Sequence, residues 1–213
     1  GWWPRATVRR LAFLGAARGG ASLLGFAGVT LVAHALAPDQ LGRWSLALAI
    51  QGYALHAGEF GLRSVVTTEA RRAGRLLPAL LRRYLGLRLA LSAVALAAAT
   101  LAAALASPEQ VWLIGLVTLA ILPMALQLDW LALADDRAGL AALVLVLRPA
   151  IFLGLVGLCL TAPTPTMLAL AYLASWSVTA AVSWTALRRS GPERDGRLPT
   201  VRGMLRQIGR AHV

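Results

Sequence analysis

An all-α membrane protein of six spanning helices is the fold this sequence predicts, and three observations carry the prediction. Of the 213 residues 58% are hydrophobic and 14% charged, against roughly 45–50% apolar content in a soluble domain. The apolar residues gather into blocks at 12–36, 42–66, 84–106, 110–134, 139–161 and 166–187, each near the ~20 residues that a helix needs to cross a hydrocarbon core of about 30 Å. Leu, Ala, Val and Gly dominate these blocks without the period-two alternation of a membrane barrel, which leaves helices as the way to satisfy the backbone in lipid. Third, the arginines alternate between connections. Arg5, Arg9 and Arg10 precede the first block, Arg71, Arg72, Arg75, Arg82 and Arg83 fill the second connection, and Arg188, Arg189, Arg194, Arg197, Arg202 and Arg206 follow the last. The connections at Pro38-Asp39, Ser107-Pro108-Glu109 and Thr161 to Pro165 carry Arg43 alone, at one edge. This positive-inside pattern places both ends in the cytoplasm, and an even number of spans, which puts both ends on one side, agrees with it.

The same distribution argues against a nucleic-acid partner. A formal charge of +12 and a pI near 11.7 are its usual flags, but here the charge flanks membrane spans. All 21 basic residues are Arg and none is Lys, a bias expected of a GC-rich genome and given no mechanistic weight.

Along the chain, residues 1–11 are expected to form a cytoplasmic or interfacial segment, with Trp2 and Trp3 beside Arg5 suited to the membrane surface. The first block contains Gly15-x-x-x-Gly19 and the fifth Gly154-x-x-Gly157, spacings that permit close helix contact. Prolines 38, 108, 163 and 165 mark short outer turns that pair the spans into hairpins. Pro123 and Pro149 interrupt the fourth and fifth spans; each removes a backbone donor and crowds the carbonyl four residues back, at Leu119 and Leu145, which predicts kinks. Cys159 is the single cysteine, so no disulfide forms within the chain. Residues 188–207 read as a basic cytoplasmic linker. The last six, Ile208 to Val213, are what ATC GGA AGA GCA CAC GTC encodes. That string matches a common sequencing-adapter read, so 208–213 are expected to be an artefact ending a gene fragment, with an authentic basic tail as the alternative.

A charge at a helix centre costs about 2.5–3.5 kcal/mol on insertion scales, so each retained one needs a partner, a wet cavity or an escape to the interface. Arg18, Glu59, Arg63, Arg88, Asp129 and Arg148 are the candidates, all in the cytoplasmic half of their spans. Arg18 and Arg148 lie roughly 9–14 Å in from that side, Arg63 and Arg88 about 5–6 Å. Arg63 and Arg88 can therefore snorkel to the headgroups, whereas Arg18 and Arg148 either stretch to do so or face a cavity. Glu59 stands four residues before Arg63, the spacing of a helical ion pair. Asp129, beside Trp130, is either a helix cap or a cation site. An excess of Arg inside one leaflet predicts a cationic, cytoplasm-facing cavity, and the planar guanidinium suits phosphate. A ligand with an anionic head and an apolar tail fits it.

Other chemistry is sparse. Asp135-Asp136-Arg-Ala-Gly resembles the start of a metal-binding diphosphate motif but lacks its third acid. His34 and His56 are far apart and have no Cys or carboxylate cluster in metal spacing, and neither a Gly-x-Ser-x-Gly elbow nor a P-loop occurs. No metal, no cofactor and no catalytic residue are expected. His56 lies three residues before Glu59, where it either shares a proton pathway or makes a polar helix contact.

Three stretches carry a resemblance. Leu41-Gly42-Arg43-Trp44-Ser45, then Glu59-Phe60-Gly61-Leu62, then Glu69-Ala70-Arg71-Arg72 resemble the first two spans of bacterial O-antigen and exopolysaccharide flippases of the multidrug/oligosaccharidyl-lipid/polysaccharide superfamily. That family often carries Leu-Gly-x-aromatic, then Asp-Leu-Gly-Leu, then a Glu among basic residues. Here Trp44 replaces the usual Tyr and Glu59 the usual Asp. The span from Pro123 to Asp129-Trp130 also resembles a Pro-rich family span ending in a polar-Trp pair. The likeness covers roughly residues 10–187.

The resemblance implies that residues 12–187 form one lobe of a MATE-like transporter of about twelve to fourteen spans, with a second lobe missing from this chain. It implies transport, in the bacterial inner membrane, of an undecaprenyl-diphosphate-linked oligosaccharide to the outer leaflet by alternating access. Arg18, Arg148, Arg63 and Arg88 would then bind substrate, and Glu59 or Asp129 would couple ions or serve structural pairing; membrane lipids and polysaccharide assembly proteins are the expected partners. The alternatives are a multidrug or cation antiporter of the same superfamily, which would carry acids in its cavity, a membrane-embedded polyprenyl-phosphate enzyme, and a non-transporting scaffold.

Overall fold

The computed structural model describes residues 5–59, 62, 66, 77–134, 138–161 and 163–188. Among them every regular element is helical: α1 (Arg5–Ala35), α2 (Pro38–Glu59), α3 (Leu77–Ala106), a 3₁₀ turn (Pro108–Gln110), α4 (Val111–Leu119), α5 (Ile121–Ala125), α6 (Asp129–Ala134), α7 (Ala138–Cys159) and α8 (Pro165–Arg188). Five stretches, Leu11–Ala35, Leu81–Ala106, Pro108–Ala125, Ala138–Cys159 and Pro165–Ala186, are long and apolar enough to cross a membrane, as in a multi-pass membrane protein. The 22 residues of α2 reach about 33 Å, but Asp39, Arg43, Gln51, His56 and Glu59 make it the most polar of the long helices. The basic segment 188–207 and the terminal 208–213 lie outside the described residues, apart from Arg188 at the end of α8.

Two helices run further than the apolar blocks. Nothing between Arg5 and Ala12 breaks a helix, so α1 spans 31 residues, about 46 Å, and takes in most of the segment expected to precede it. Likewise α3 begins at Leu77 and carries the exposed Arg82 and Arg83 on its first turns.

The hairpin turns are built locally. Pro38 opens α2, and Gln40 Oε1 accepts from the Ala37 N–H at 3.4 Å, one half of a capping box. Pro108 starts the 3₁₀ turn, where the Gln110 N–H bonds the Ser107 carbonyl at 2.9 Å. Thr164 caps α8 by accepting from the Met167 N–H at 3.2 Å, with Pro165 in the first helical position, where its missing donor costs nothing.

The fourth span is interrupted twice, where a single kink was expected. Pro123 cannot bond the Leu119 carbonyl, and the ladder tightens before it: the Ala120 N–H turns to Val117 O at 3.2 Å. The helix breaks again at Leu126 to Leu128 before α6 starts. The Leu126 carbonyl is taken by Trp184 Nε1 at 2.9 Å, so a side chain from α8 satisfies a backbone group that lipid could not. Pro149, in contrast, sits buried inside a continuous α7.

Packing runs α1 on α7, α7 on α8, α8 on α4, and α4 on both α2 and α3. At the end holding the three Pro turns, Val32, Leu36, Trp44, Ala47, Leu113, Val117, Val156 and Leu168 form one closed apolar cluster. Deeper in, Gln51 is buried and donates to Met124 Sδ at 3.2 Å, while Tyr172 Oη donates to Gln51 Oε1 at 3.3 Å.

Close helix contact uses other glycines than the sequence suggested. At Gly15, Gly19, Gly154 and Gly157 an added methyl meets nothing within 4 Å. At Gly58 it would stand 3.1 Å from Ser92 Oγ on α3, and at Gly28 3.3 Å from the Phe152 ring on α7. Gly58→Val is therefore expected to wedge α2 from α3 and destabilise the fold by about 1–3 kcal/mol, as overpacking does, whereas Gly15→Ala and Gly154→Ala leave it intact. Thermal melts in detergent read the contrast.

Candidate functional site

The residues expected to build one cationic cavity are divided by the fold. On α1, Arg18, Ala21, Ser22 and Gly25 recur every three or four positions, which places them on one helix face; Val144, Leu145 and Arg148 do the same on α7. With Gln127 and Asp129, from the break after α5, and Trp176 of α8, they line a half-open chamber of ≈ 390 Å³. The second break of the fourth span contributes to it directly, because Gln127 stands outside regular helix and Asp129 starts the next one.

Within the chamber the Arg148 guanidinium lies over the Trp176 ring, 4.4 Å from its centroid, a cation–π contact. Arg18 is exposed, and among the described residues it makes no hydrogen bond or ion pair. Gln127 Nε2 is a buried N–H donor with no hydrogen-bond acceptor, whereas the Trp176 indole N–H is turned to the Tyr172 hydroxyl oxygen. Two arginines and one unmet donor thus face one carboxylate, Asp129. The surplus is of donors and positive charge, and buried donors are costly to leave unmet.

A second, apolar slot of ≈ 150 Å³ continues from the chamber. The same faces of α1 and α7 extend into it through Val29 and Val32 and through Pro149 and Phe152, joined by Trp44, Leu48 and Tyr172. Tyr172 takes Trp44, Phe152 and Trp176 edge-on, with ring centroids 5.9–6.2 Å apart. Gly25 and Arg148 line both spaces. Nearby α8 hydroxyls are satisfied on their own helix, Ser175 Oγ on Tyr172 O at 2.7 Å and Thr179 Oγ1 on Ser175 O at 2.6 Å.

Arg88 and Glu59 belong elsewhere. Arg88 Nη2 meets Glu59 Oε1 at 2.6 Å between α3 and α2, and the guanidinium lies 5.9 Å from the Tyr84 ring centroid. With Arg88 only 4% exposed, the snorkelling expected of it gives way to a buried pair, because a carboxylate on the neighbouring helix is closer than the headgroups. Arg88 does not line the chamber. Arg63, expected to pair with Glu59, lies outside the described residues, as do Asp135 and Asp136. His34 Nδ1 bonds the Thr30 carbonyl at 2.8 Å, and His56 is exposed.

Sequence reasoning passed over Gln127, Trp176 and Tyr172. A signal for Trp176 was present: it stands mid-span, away from the interfaces where Trp concentrates. Compared with protein-family models, curated proteins and solved structures, the chain matches none.

Proposed function

We propose that this chain is the six-helix N-terminal lobe of a bacterial inner-membrane exporter, both ends cytoplasmic, which carries an undecaprenyl-diphosphate-linked oligosaccharide to the outer leaflet by alternating access with a second lobe. The observation that carries the reading is the chamber: Arg18, Arg148 and the unmet Gln127 N–H donor are grouped beside an apolar slot. A diphosphate supplies acceptors for both arginines and for Gln127, and guanidinium forks bind such oxygens in pairs.

One observation favours a second reading. Asp129 in the same chamber is the kind of group a cation-coupled drug exporter uses.

Export in a complete transporter separates the two. Arg18→Ala with Arg148→Ala is expected to abolish surface polysaccharide while protein in the membrane stays at normal levels; undiminished export would overturn the chamber's assignment. If instead Asp129→Asn removes resistance to cationic drugs while surface polysaccharide persists in the double Arg variant, the drug-export reading replaces this one.

A further inference from the structure

We infer that the apolar slot is the seat of the first five-carbon unit of the ligand's hydrocarbon tail, and that Gly25 keeps open the passage between this unit and its anionic head. The inference rests on the chamber's reading as an anion site and adds to it a second, separable subsite within the lobe.

Size and lining suit one unit of the tail. The slot measures ≈ 150 Å³ and is open on one side, at the exposed Val29; a benzene-sized apolar group fills a space of about that volume. One isoprene unit, five carbons, has that bulk, and the open side lets the rest of a tail run out. Apart from Arg148 at the junction the lining offers a sugar little to bond, since Ser175 is bonded to the backbone of its own helix and Tyr172 Oη to Gln51. The aromatic walls, Trp44, Phe152 and Tyr172, suit methyl groups and a carbon–carbon double bond. The remaining tail leaves past Val29, which is 61% exposed at the open side of the slot.

Register sets the order of head and tail. Arg148 borders both spaces, so an oxygen on its guanidinium has the slot as its immediate neighbour. Gly25 faces the same junction from α1, and a Cβ built there meets nothing within 4 Å. Packing therefore does not require glycine at this position. A larger side chain would project into free space at the junction and close the passage without displacing a helix.

Two water-soluble probes, inorganic pyrophosphate and dimethylallyl diphosphate, test this on the chain in lipid nanodiscs by isothermal titration calorimetry. Each buried CH₂ is worth about fourfold in affinity. The five-carbon probe is therefore expected to bind on the order of 10²-fold more tightly than pyrophosphate, allowing for incomplete burial. In Gly25→Leu, and independently in Val29→Phe, that ratio is expected to fall to about one. A ratio that stays high in both variants, or one near unity in the unsubstituted chain, overturns the slot assignment and leaves the anion site standing. No binding of pyrophosphate to the unsubstituted chain overturns the anion reading, and this inference with it.

Discussion

Replacing Arg148 with Ala is expected to weaken pyrophosphate binding by about 10- to 100-fold. The loss corresponds to one charge-assisted contact of roughly 1.5–3 kcal/mol. Arg148→Lys discriminates between two origins of that loss. Lys keeps the charge but has no planar fork to present two parallel N–H groups, and its compact ammonium is more strongly hydrated. If the face of Trp176, 4.4 Å from the guanidinium, fixes the plane of the fork, Lys recovers only part of the affinity. Trp176→Leu then weakens binding although Arg148 is intact. Full rescue by Lys would show that charge alone is used. Calorimetric titration at two salt concentrations reads both variants, since a contact at this partly buried site is screened less than a surface one.

The second large effect is on stability. Arg88→Ala leaves Glu59, whose side chain is 28% exposed, without the guanidinium that it meets at 2.6 Å; water can reach the orphaned carboxylate, so the cost is about 1–3 kcal/mol, less than for a fully buried pair. The expected result is a fall in the thermal midpoint in detergent and loss of material from the membrane. Replacing both partners, Arg88→Leu with Glu59→Leu, is expected to recover most of the loss, because the price of a buried pair is mostly desolvation. A double variant no better than Arg88→Ala would mean that the pair supplies net stability rather than fixing how α2 meets α3.

What the sequence made legible follows from which interactions are local. Span positions were readable because the apolar blocks and the proline turns are properties of contiguous residues, and α4 to α6 were expected to bend because Pro123 lacks a donor. The second break was not readable. It depends on Trp184, 58 positions beyond Leu126, to take the carbonyl that the break exposes. Glu59 shows the same limit. Arg63, its partner by helical spacing, lies outside the described residues, and the bond to Arg88, 29 positions away on another helix, follows from no local spacing. Arg18 and Arg148 could be recognised as deep charges lacking a local partner, but their common chamber depends on α1 leaving its hairpin neighbour to pack on α7. No pattern of nearby residues announces that pairing. Gly28 against Phe152 is one of its contacts, while the glycine pairs with the conventional spacing face open space.

The cluster at the Pro-turn end also has a calorimetric meaning. Ala47, Val117, Leu168 and Ala169 there are 0% exposed, and no charged side chain belongs to the group. The charged Asp39, Arg43 and Glu109 of the same end already line an open recess, so a motion that admits water to the cluster itself newly hydrates hydrocarbon. Its heat-capacity change must therefore be positive, about 0.45 cal/mol/K for each Å² uncovered. The free energy of that opening is consequently curved in temperature, and an Arrhenius plot of any step limited by it should bend. Water entering the Arg18 and Arg148 chamber meets ions and N–H groups instead, and polar hydration carries the opposite sign.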